Sequence, residues 1–581
     1  MYPNFAKEVY VERTVNKPLV GNPARNGQGE HMTKRGIRRI AVVSAIALLP
    51  IISTSLPASA AKGDGNGPDV NEQPVAKLKK GGTFVWAINN LPDNFNTSQI
   101  DGNTADTSYI MGATQPGYFT VDKTGALVVD KNYAESVELT SKKPQVVTYT
   151  LNPKAVWSDG KPVGLADFVG MWKANNGTNT AYESVSTTGY EDIASVKAGK
   201  SKNQVVVTFK NIYADWQGLF SGLLPASVTA TPEAFNKSWV SAPTVTAGPF
   251  KYSSTDVAGS TVTLVPNPKW WGDKPVLAKI VYRAIPPATQ LDALANGEVD
   301  YIDIGPNATN YQRAKDMAGV TVHVSKAPNY RHMTFGSATA ISQNKTIRQA
   351  IMMSIDRSTI AKAMIGPIDP TASSLDNHVF VKGLACYTSN AGIYGTQNLQ
   401  RVNTMLNAAG WKGSPRKNAD GVELKLAITI PSGVPTSAQE AQLMQAMLAP
   451  AGITLTINTV PLADFFSKYI TPGNFEMTVF SWIGTVFPIS GATGILTTTG
   501  EQNYGKIGSA AIDKLFASAN QELDPVKRCA LANKADKLVW EEGHSMITYQ
   551  RPNVTATDSK LANMGSWGFT GLDYTKIGFT K

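Results

Sequence analysis

The stretch from Trp157 to Trp172 constrains the fold of this chain more than any other segment. A Trp-Ser-Asp-Gly turn interrupts an extended run, and apolar residues then recur at helical spacing at Leu165, Phe168 and Val169. An Asp-Gly turn with an apolar-periodic segment directly behind it predicts a strand, a sharp turn and a helix in immediate succession. The chain is therefore expected to build strand–helix units rather than an all-helical or all-β fold.

The same alternation continues along the chain. Apolar strands are predicted at 146–151, 205–209 and 453–460, and helices at 345–364 and 436–449. Strands that alternate with helices of this length indicate α/β lobes. A chain of 581 residues exceeds what one hydrophobic core usually covers, so two or three lobes are expected.

Several further segments resemble one known family, in that family's order. They are Gly81-Gly82-Thr83-Phe84, the Trp157 turn, Gly248-Pro249-Phe250-Lys251-Tyr252, Asn267-Pro268-x-Trp270-Trp271-Gly272, Ala293–Asp300, Ile347–Arg357, Leu406–Trp411 and Phe475–Trp482. Together they span about residues 80–560 and are similar to solute-binding family 5 of ABC importers, the peptide- and nickel-type extracellular binding proteins. The form Trp-Ile-Gly-Thr-Val-Phe-Pro at 482–488 resembles an actinobacterial branch, which includes proteins tied to cell-envelope glycolipids.

The resemblance implies an α/β fold of two lobes, the type II, cluster C-like fold of periplasmic binding proteins, with an extra inserted subdomain. It implies that a solute is captured between the lobes by hinge closure and delivered to an ABC permease. The expected boundaries are lobe I at 81–125, 241–325 and 548–581, the inserted subdomain at 126–240, and lobe II at 326–547. The two crossings between lobes are expected near 326–331 and 547–551.

The first 80 residues are interpreted as three parts that precede the fold. Residues 1–31 are a non-native or wrongly assigned extension, 32–60 a signal peptide, and 61–80 a flexible linker. The signal peptide is indicated by a basic start, the apolar run 40–52 and the small-x-small site at 58–60. An exported protein, extracellular or held at the cell envelope, follows. No cysteine lies near the site, so we expect no lipid anchor.

Net charge does not indicate nucleic-acid binding. The formal charge is +10, but residues 1–61 carry 8 basic and 3 acidic residues, and the remaining chain has 46 against 41. No basic cluster with interleaved aromatic residues occurs. The expected partners are a small-molecule, peptide or glycan solute and the permease subunits, with the protein itself a monomer.

The resemblance also implies the ligand-binding residues. Asp101 occupies the place of an acid that faces the ligand, with a solvated loop acid as the alternative. Tyr330 and Tyr549 lie on the two crossings, where each is a pocket residue or a hinge-packing residue. The remaining candidates form the segment whose backbone runs beside a bound peptide: Trp482, Ile483, Gly484 and Thr485.

Position 485 departs from the family pattern. Peptide-binding members have an aspartate there, which anchors the peptide's ammonium group, and a neutral hydroxyl cannot supply that charge-assisted bond. We therefore expect a solute without a free α-ammonium, such as a glycan, a lipid-linked glycan or a blocked peptide. The aromatic residues Trp482, Phe487, Tyr330 and Tyr549 suit such a solute. Asp101 could replace the missing anchor from the opposite lobe, which keeps a peptide as the alternative.

Enzyme motifs are absent from the sequence. There is no Gly-x-Ser-x-Gly elbow, His-Glu-x-x-His helix or P-loop, and the five histidines are scattered. We expect no enzymatic activity, no cofactor and no metal site. The alternative is a secreted or wall-associated enzyme, or a glycolipid-handling envelope factor, on the same fold. Cys386 and Cys529 either form one disulfide or remain two separate thiols.

Overall fold

The structure, a computed structural model, describes residues 67–122 and 126–581. The predicted extension, the signal peptide and the first part of the linker lie outside these residues. No helix within the described ranges is long and apolar enough to span a membrane.

Lobe I is built on a seven-stranded mixed sheet. Its strands, from one edge to the other, are Val320–Ser325, Asn553–Asp558, Tyr301–Asp303, Thr83–Ile88, Lys279–Ala284, Thr261–Pro266 and Phe250–Asp256. Strand Thr83–Ile88 runs parallel to both of its neighbours in this sheet, while the other pairings are antiparallel. Its helices are Ala105–Gly112, Gln290–Ala295 and Ala308–Lys315.

Lobe II is built on a five-stranded sheet. The strand order is Thr454–Val460, Lys425–Pro431, Met477–Trp482, Tyr330–Phe335 and Ser545–Gln550. The α-helices are Ala340–Gln343, Lys345–Ser354, Arg357–Ile365, Leu399–Ala408, Pro435–Leu448, Pro488–Leu496, Ala510–Gln521 and Pro525–Glu542. Cys386 and Cys529 are bonded to each other in this lobe, with their Cα atoms 5.5 Å apart.

The inserted subdomain carries a four-stranded antiparallel sheet in the order Ala134–Lys142, Gln145–Leu151, Gln204–Phe209 and Ile193–Ala198. Helices Leu165–Asn175, Ala226–Thr229 and Pro232–Lys237 accompany it. Its core is continuous with that of lobe I, because one apolar cluster runs from Trp86 through Tyr118 to Phe168. The subdomain is therefore an extension of lobe I and not a separately packed body.

The Trp157 turn holds this subdomain together. The indole of Trp157 donates to Oδ2 of Asp167 at 3.1 Å, and the same carboxylate accepts from the backbone N–H of Gly164 and of Ala226, each at 2.8 Å. Gly160 adopts φ +91°, a conformation that favours glycine and closes the turn. The sequence feature that looked most distinctive thus has a structural role.

Three boundaries differ from the sequence expectations. Residues 67–80 are not a free linker: Asp69–Val70 pairs with Gly565–Ser566, and Leu78 is buried. The helix expected over 345–364 is two helices, because Asp356 leaves the helical path and its carboxylate caps the second one. The return to lobe I comes after Gln550 rather than at 548, since Ser545–Gln550 pairs along the strand Tyr330–Phe335.

The chain passes between the lobes at 326–329 and 551–552. The two crossings are joined, because the backbone N–H of Arg551 donates to the carbonyl of Asn329 at 2.8 Å. The guanidinium of Arg551 also binds Asp303 of lobe I, with Nη2 and Oδ2 2.6 Å apart. A pair of short, mutually bonded crossings is the arrangement expected of a hinge.

Candidate functional site

Tyr330 and Trp482 lie side by side at the ends of two neighbouring inner strands of the lobe II sheet. They are direct partners in the antiparallel pairing of the first crossing strand with Met477–Trp482. Tyr330 is buried, whereas Trp482 is half-buried. Both were expected from the sequence to bind the ligand, and the structure places the two residues next to each other.

Trp482 is the middle ring of an aromatic stack. Its ring is stacked with that of His332 at 6.0 Å between centroids and with that of Tyr504 at 6.1 Å, with interplanar angles of 19° and 21°. Phe480 meets Trp482 edge-on at 5.2 Å. These contacts fix the indole in one orientation, and its half-buried part forms an apolar surface next to the opposite lobe.

The segment after Trp482 is held by local hydrogen bonds. The backbone N–H of Gly484 donates to Oδ1 of Asn329 at 3.2 Å, which attaches this segment to the first crossing. The hydroxyl oxygen of Thr485 accepts from the N–H of Phe487 at 2.9 Å. Thr485 therefore shapes the turn before helix Pro488–Leu496, while Ile483 beside it is half-buried.

Asp101 lies opposite, in the short helix Ile100–Gly102 of lobe I. Gln99 orients it: its side-chain oxygen accepts from the N–H of Asp101 at 2.7 Å, and its amide nitrogen donates to Oδ2 of Asp101 at 3.2 Å and to Glu183 at 3.1 Å. The carboxylate of Asp101 is exposed. Ile100 packs on the lobe II cluster that contains Phe480 and Tyr504, so Asp101 stands where the lobes meet.

The lobes also make direct polar contact beside this point. Nδ2 of Asn103 in lobe I donates to Oε1 of Gln502 in lobe II at 3.2 Å. We use the name seam for this meeting line of the two lobes around Ile100, Asn103, Gln502 and Tyr504.

Carboxylates gather at the seam. Loss of solvation raises the pKa of Asp93, and the negative charges of Asp101 and Asp464 raise it further. Asp464 belongs to lobe II and pairs with Lys468 at 2.9 Å. Acids from both lobes therefore lie within electrostatic range of one another, and a positive charge placed among them would lower their mutual repulsion.

Tyr549 does not belong to this site. It is fully buried in the lobe II core, where its hydroxyl donates to Oε1 of Glu440 at 2.7 Å. The other oxygen of Glu440 accepts from Nε of Arg331 at 2.8 Å. A side chain fully buried in this way and bonded to Glu440 fits the hinge-packing alternative better than the pocket alternative.

Sequence reasoning missed Tyr504 and Gln502. Tyr504 follows a loop with no periodic pattern, so nothing in the sequence places its ring on Trp482. Phe487, expected among the ligand-facing aromatic residues, is half-buried. Its ring lies against Gly218 of the inserted subdomain, where an added Cβ would come within 3.0 Å of the ring.

Among the described residues, no group of three or more His, Cys, Asp or Glu side chains is arranged to hold a metal ion.

Comparison with known proteins identifies the family. Residues 129–504 match the model of the bacterial extracellular solute-binding proteins, family 5. The chain belongs to this family. It is therefore a solute-binding protein of an ABC importer, with the two-lobed fold of that group.

Two of its relatives match over most of the chain. The chain is 40% identical over 524 residues to the oligopeptide-binding protein OppA of Mycobacterium tuberculosis and covers 88% of that protein. The solved structure of the periplasmic EDTA-binding protein EppA superimposes with a TM-score of 0.79 at 26% identity, over 90% of this chain and 100% of that one. The expected resemblance to the peptide- and nickel-type family is confirmed.

One expectation is wrong. The sequence led us to exclude a lipid anchor, yet a relative that is 23% identical over 523 residues is an uncharacterized lipoprotein of Mycobacterium tuberculosis. The exclusion rested on the absence of a cysteine around one cleavage site. That local feature does not decide how a member of this family is held at the cell surface.

Proposed function

We propose that this protein captures oligopeptides between its lobes and delivers them to an ABC permease without chemically changing them. The carboxylates at the seam carry the proposal. Asp101 is exposed and oriented by Gln99, and its charge and that of Asp464 in lobe II both act on a second lobe I acid, Asp93. A free peptide ammonium is the positive group that such a surface is suited to bind.

The neutral side chain of Thr485 means that lobe II offers no carboxylate at this position. The ammonium anchor is supplied by lobe I rather than by the lobe II segment, whose hydroxyl at Thr485 is engaged in its own turn. The half-buried side chains of Trp482 and Ile483 provide an apolar wall for the rest of the peptide. The name of the 40% identical relative, an oligopeptide-binding protein, supports the same solute class.

A solute without an ammonium group is the competing candidate, and Thr485 is the observation that favours it. Such a solute would bring no positive charge to the carboxylates of Asp93 and Asp101 at a closed seam, whereas Asp464 is already paired with Lys468. Because like charges in a partly desolvated site repel one another, this arrangement opposes lobe closure. We therefore place the peptide first.

Native mass spectrometry of protein purified from its own host tests the proposal. We expect co-purified short peptides with free amino termini, and their loss in Asp101→Asn. The matched control is Asp316→Asn, which removes an exposed lobe I carboxylate at the end of helix Ala308–Lys315. Recovery of a glycan or glycolipid, unaffected by Asp101→Asn, would refute the peptide assignment.

A further inference from the structure

A small cavity lies in lobe II directly behind Trp482. Its walls include Tyr330, His332, Phe480, Trp482, Gln502 and Tyr504, and it has room for about one water-sized group. Two of these residues, Gln502 and Tyr504, belong to the seam. The cavity therefore borders the seam at these two side chains.

His332 contributes a buried ring nitrogen without a hydrogen-bond partner to this cavity. Its side chain is 3% exposed, and its Nδ1 atom has no hydrogen-bond partner in the described part of the chain. Burial holds the pKa of His332 well below its usual range, and the positive charge of Arg331 lowers it further. The imidazole is therefore neutral near pH 7, and a neutral ring has one nitrogen that accepts.

The other histidine of the cavity is already satisfied. Nδ1 of His544 lies 3.0 Å from the hydroxyl of Ser545, and Nε2 lies 3.2 Å from the carbonyl of Ile495. Buried polar atoms in proteins nearly always have a partner, so the unpartnered nitrogen of His332 indicates a position that a bound group completes.

The walls also limit what that group can be. No acidic, lysine or arginine side chain lines the cavity, so neither an ammonium nor a carboxylate would find a counter-charge there. The space is too small for an aromatic or long aliphatic side chain. A single hydroxyl has the required size and can donate a hydrogen bond.

We propose that this cavity is a specificity subsite, in which a serine or threonine hydroxyl of the bound peptide forms a hydrogen bond with Nδ1 of His332. The inference rests on the proposed function and adds a preference to it. The peptide backbone would run over Trp482, and a short side chain would pass beside Tyr504 into the cavity. Val in place of Thr would leave the nitrogen without a partner, and sites that hydrogen-bond a solute hydroxyl discriminate strongly against analogues that lack it.

Calorimetric titration with tetraalanine, and with eight further peptides that carry Thr or Val at each position in turn, tests the subsite. We expect one position at which Thr binds about tenfold or more tightly than Val. In His332→Phe this ratio should fall to about one, whatever the affinity for tetraalanine. Asp316→Asn, which lies outside the cavity, should keep the preference.

The possible failures are distinguishable. Peptide binding without any Thr/Val preference, or a preference that persists in His332→Phe, overturns the subsite and leaves the proposed function intact. No binding by any of the nine peptides overturns the proposed function and the subsite together. Should His332→Phe fail to fold, the 15N resonance of His332 Nδ1 in the unaltered protein decides: it should shift with the Thr peptide and not with its Val partner.

Discussion

The backbone N–H of Thr187, in the inserted subdomain, donates to Oε1 of Glu501 in lobe II over 2.8 Å. The carbonyl of Asn520 in lobe II likewise accepts from the N–H of Ala214 at 2.8 Å. Beside these bonds, Arg528 of lobe II pairs with Asp215 of the subdomain. The inserted subdomain therefore contributes a second area of contact between the lobes, apart from the seam at Asp101.

Arg528→Met is expected to weaken solute binding without touching the cleft. The side chains of Arg528 and Asp215 are 18% and 6% exposed, so the variant leaves a largely buried carboxylate without its partner. Removing one member of a buried ion pair destabilises a protein by about 3–5 kcal/mol. Because this pair joins the two lobes, the variant destabilises mainly the closed form. We predict a tenfold or greater loss of tetraalanine affinity by calorimetry.

The control for this variant is Arg313→Met, which breaks an exposed pair with Asp292 in lobe I. Exposed ion pairs contribute little to stability, so the affinity of this control for tetraalanine should stay unchanged. In the double variant Asp215→Asn/Arg528→Met the unpaired charge is gone, and part of the affinity should return. Equal affinities for Arg528→Met and the unaltered protein would contradict a role in closure.

Tyr549→Phe is expected to lower stability and leave solute affinity unchanged. The variant removes a buried hydroxyl that donates to Glu440 at 2.7 Å, a bond to a charged group that is worth roughly 1.5–3 kcal/mol. Urea unfolding should show that loss, and calorimetry should show no change in tetraalanine binding. A selective loss of affinity with unchanged unfolding would restore Tyr549 to the ligand site.

Stability should depend on pH through Asp106. Burial raises the pKa of Asp106 to about 6, and the neighbouring charge of Asp303 acts in the same direction, although the N–H groups of Asn89 and Asn90 donate to the carboxylate. The folded protein therefore binds a proton more tightly than the unfolded chain does. The resulting stabilisation is complete below about pH 4, is lost as pH rises through 6, and is absent above.

Asp106→Asn removes this dependence. Its free energy of unfolding relative to the unaltered protein should rise by roughly 2–3 kcal/mol between pH 4 and pH 7.5. Denaturant unfolding at the two pH values measures the difference, with Asp316→Asn as the exposed control. A parallel pH dependence in the Asp106 variant and the unaltered protein would contradict the raised pKa.

Local patterns predicted much of the fold. The strand expected over 146–151 is observed at Gln145–Leu151, and the helix expected over 436–449 at Pro435–Leu448. Both segments have strong periodicity and clear ends. The break at Asp356 was missed because Ile355 and Ile360 continue an apolar helical pattern, whereas the cap depends on the backbone path of one residue.

The site was harder to predict because its members interact across long separations. No local pattern indicates that Arg357 is buried and donates to the carbonyls of Leu375 and Ile547, 18 and 190 positions away. Asp101 and Tyr504 are some four hundred positions apart in the chain. No local spacing indicates that lobe closure brings a carboxylate and an aromatic stack to the same seam.

Calorimetric titration with tetraalanine and with N-acetyl-tetraalanine shows whether the seam recognises a peptide ammonium group. We predict that the free-amino peptide binds at least tenfold more tightly, because only its ammonium group can neutralise the carboxylates at the seam. Asp101→Asn should remove most of that difference, while Asp316→Asn should keep it. Equal or tighter binding of the acetylated peptide would contradict recognition of the ammonium group at the seam.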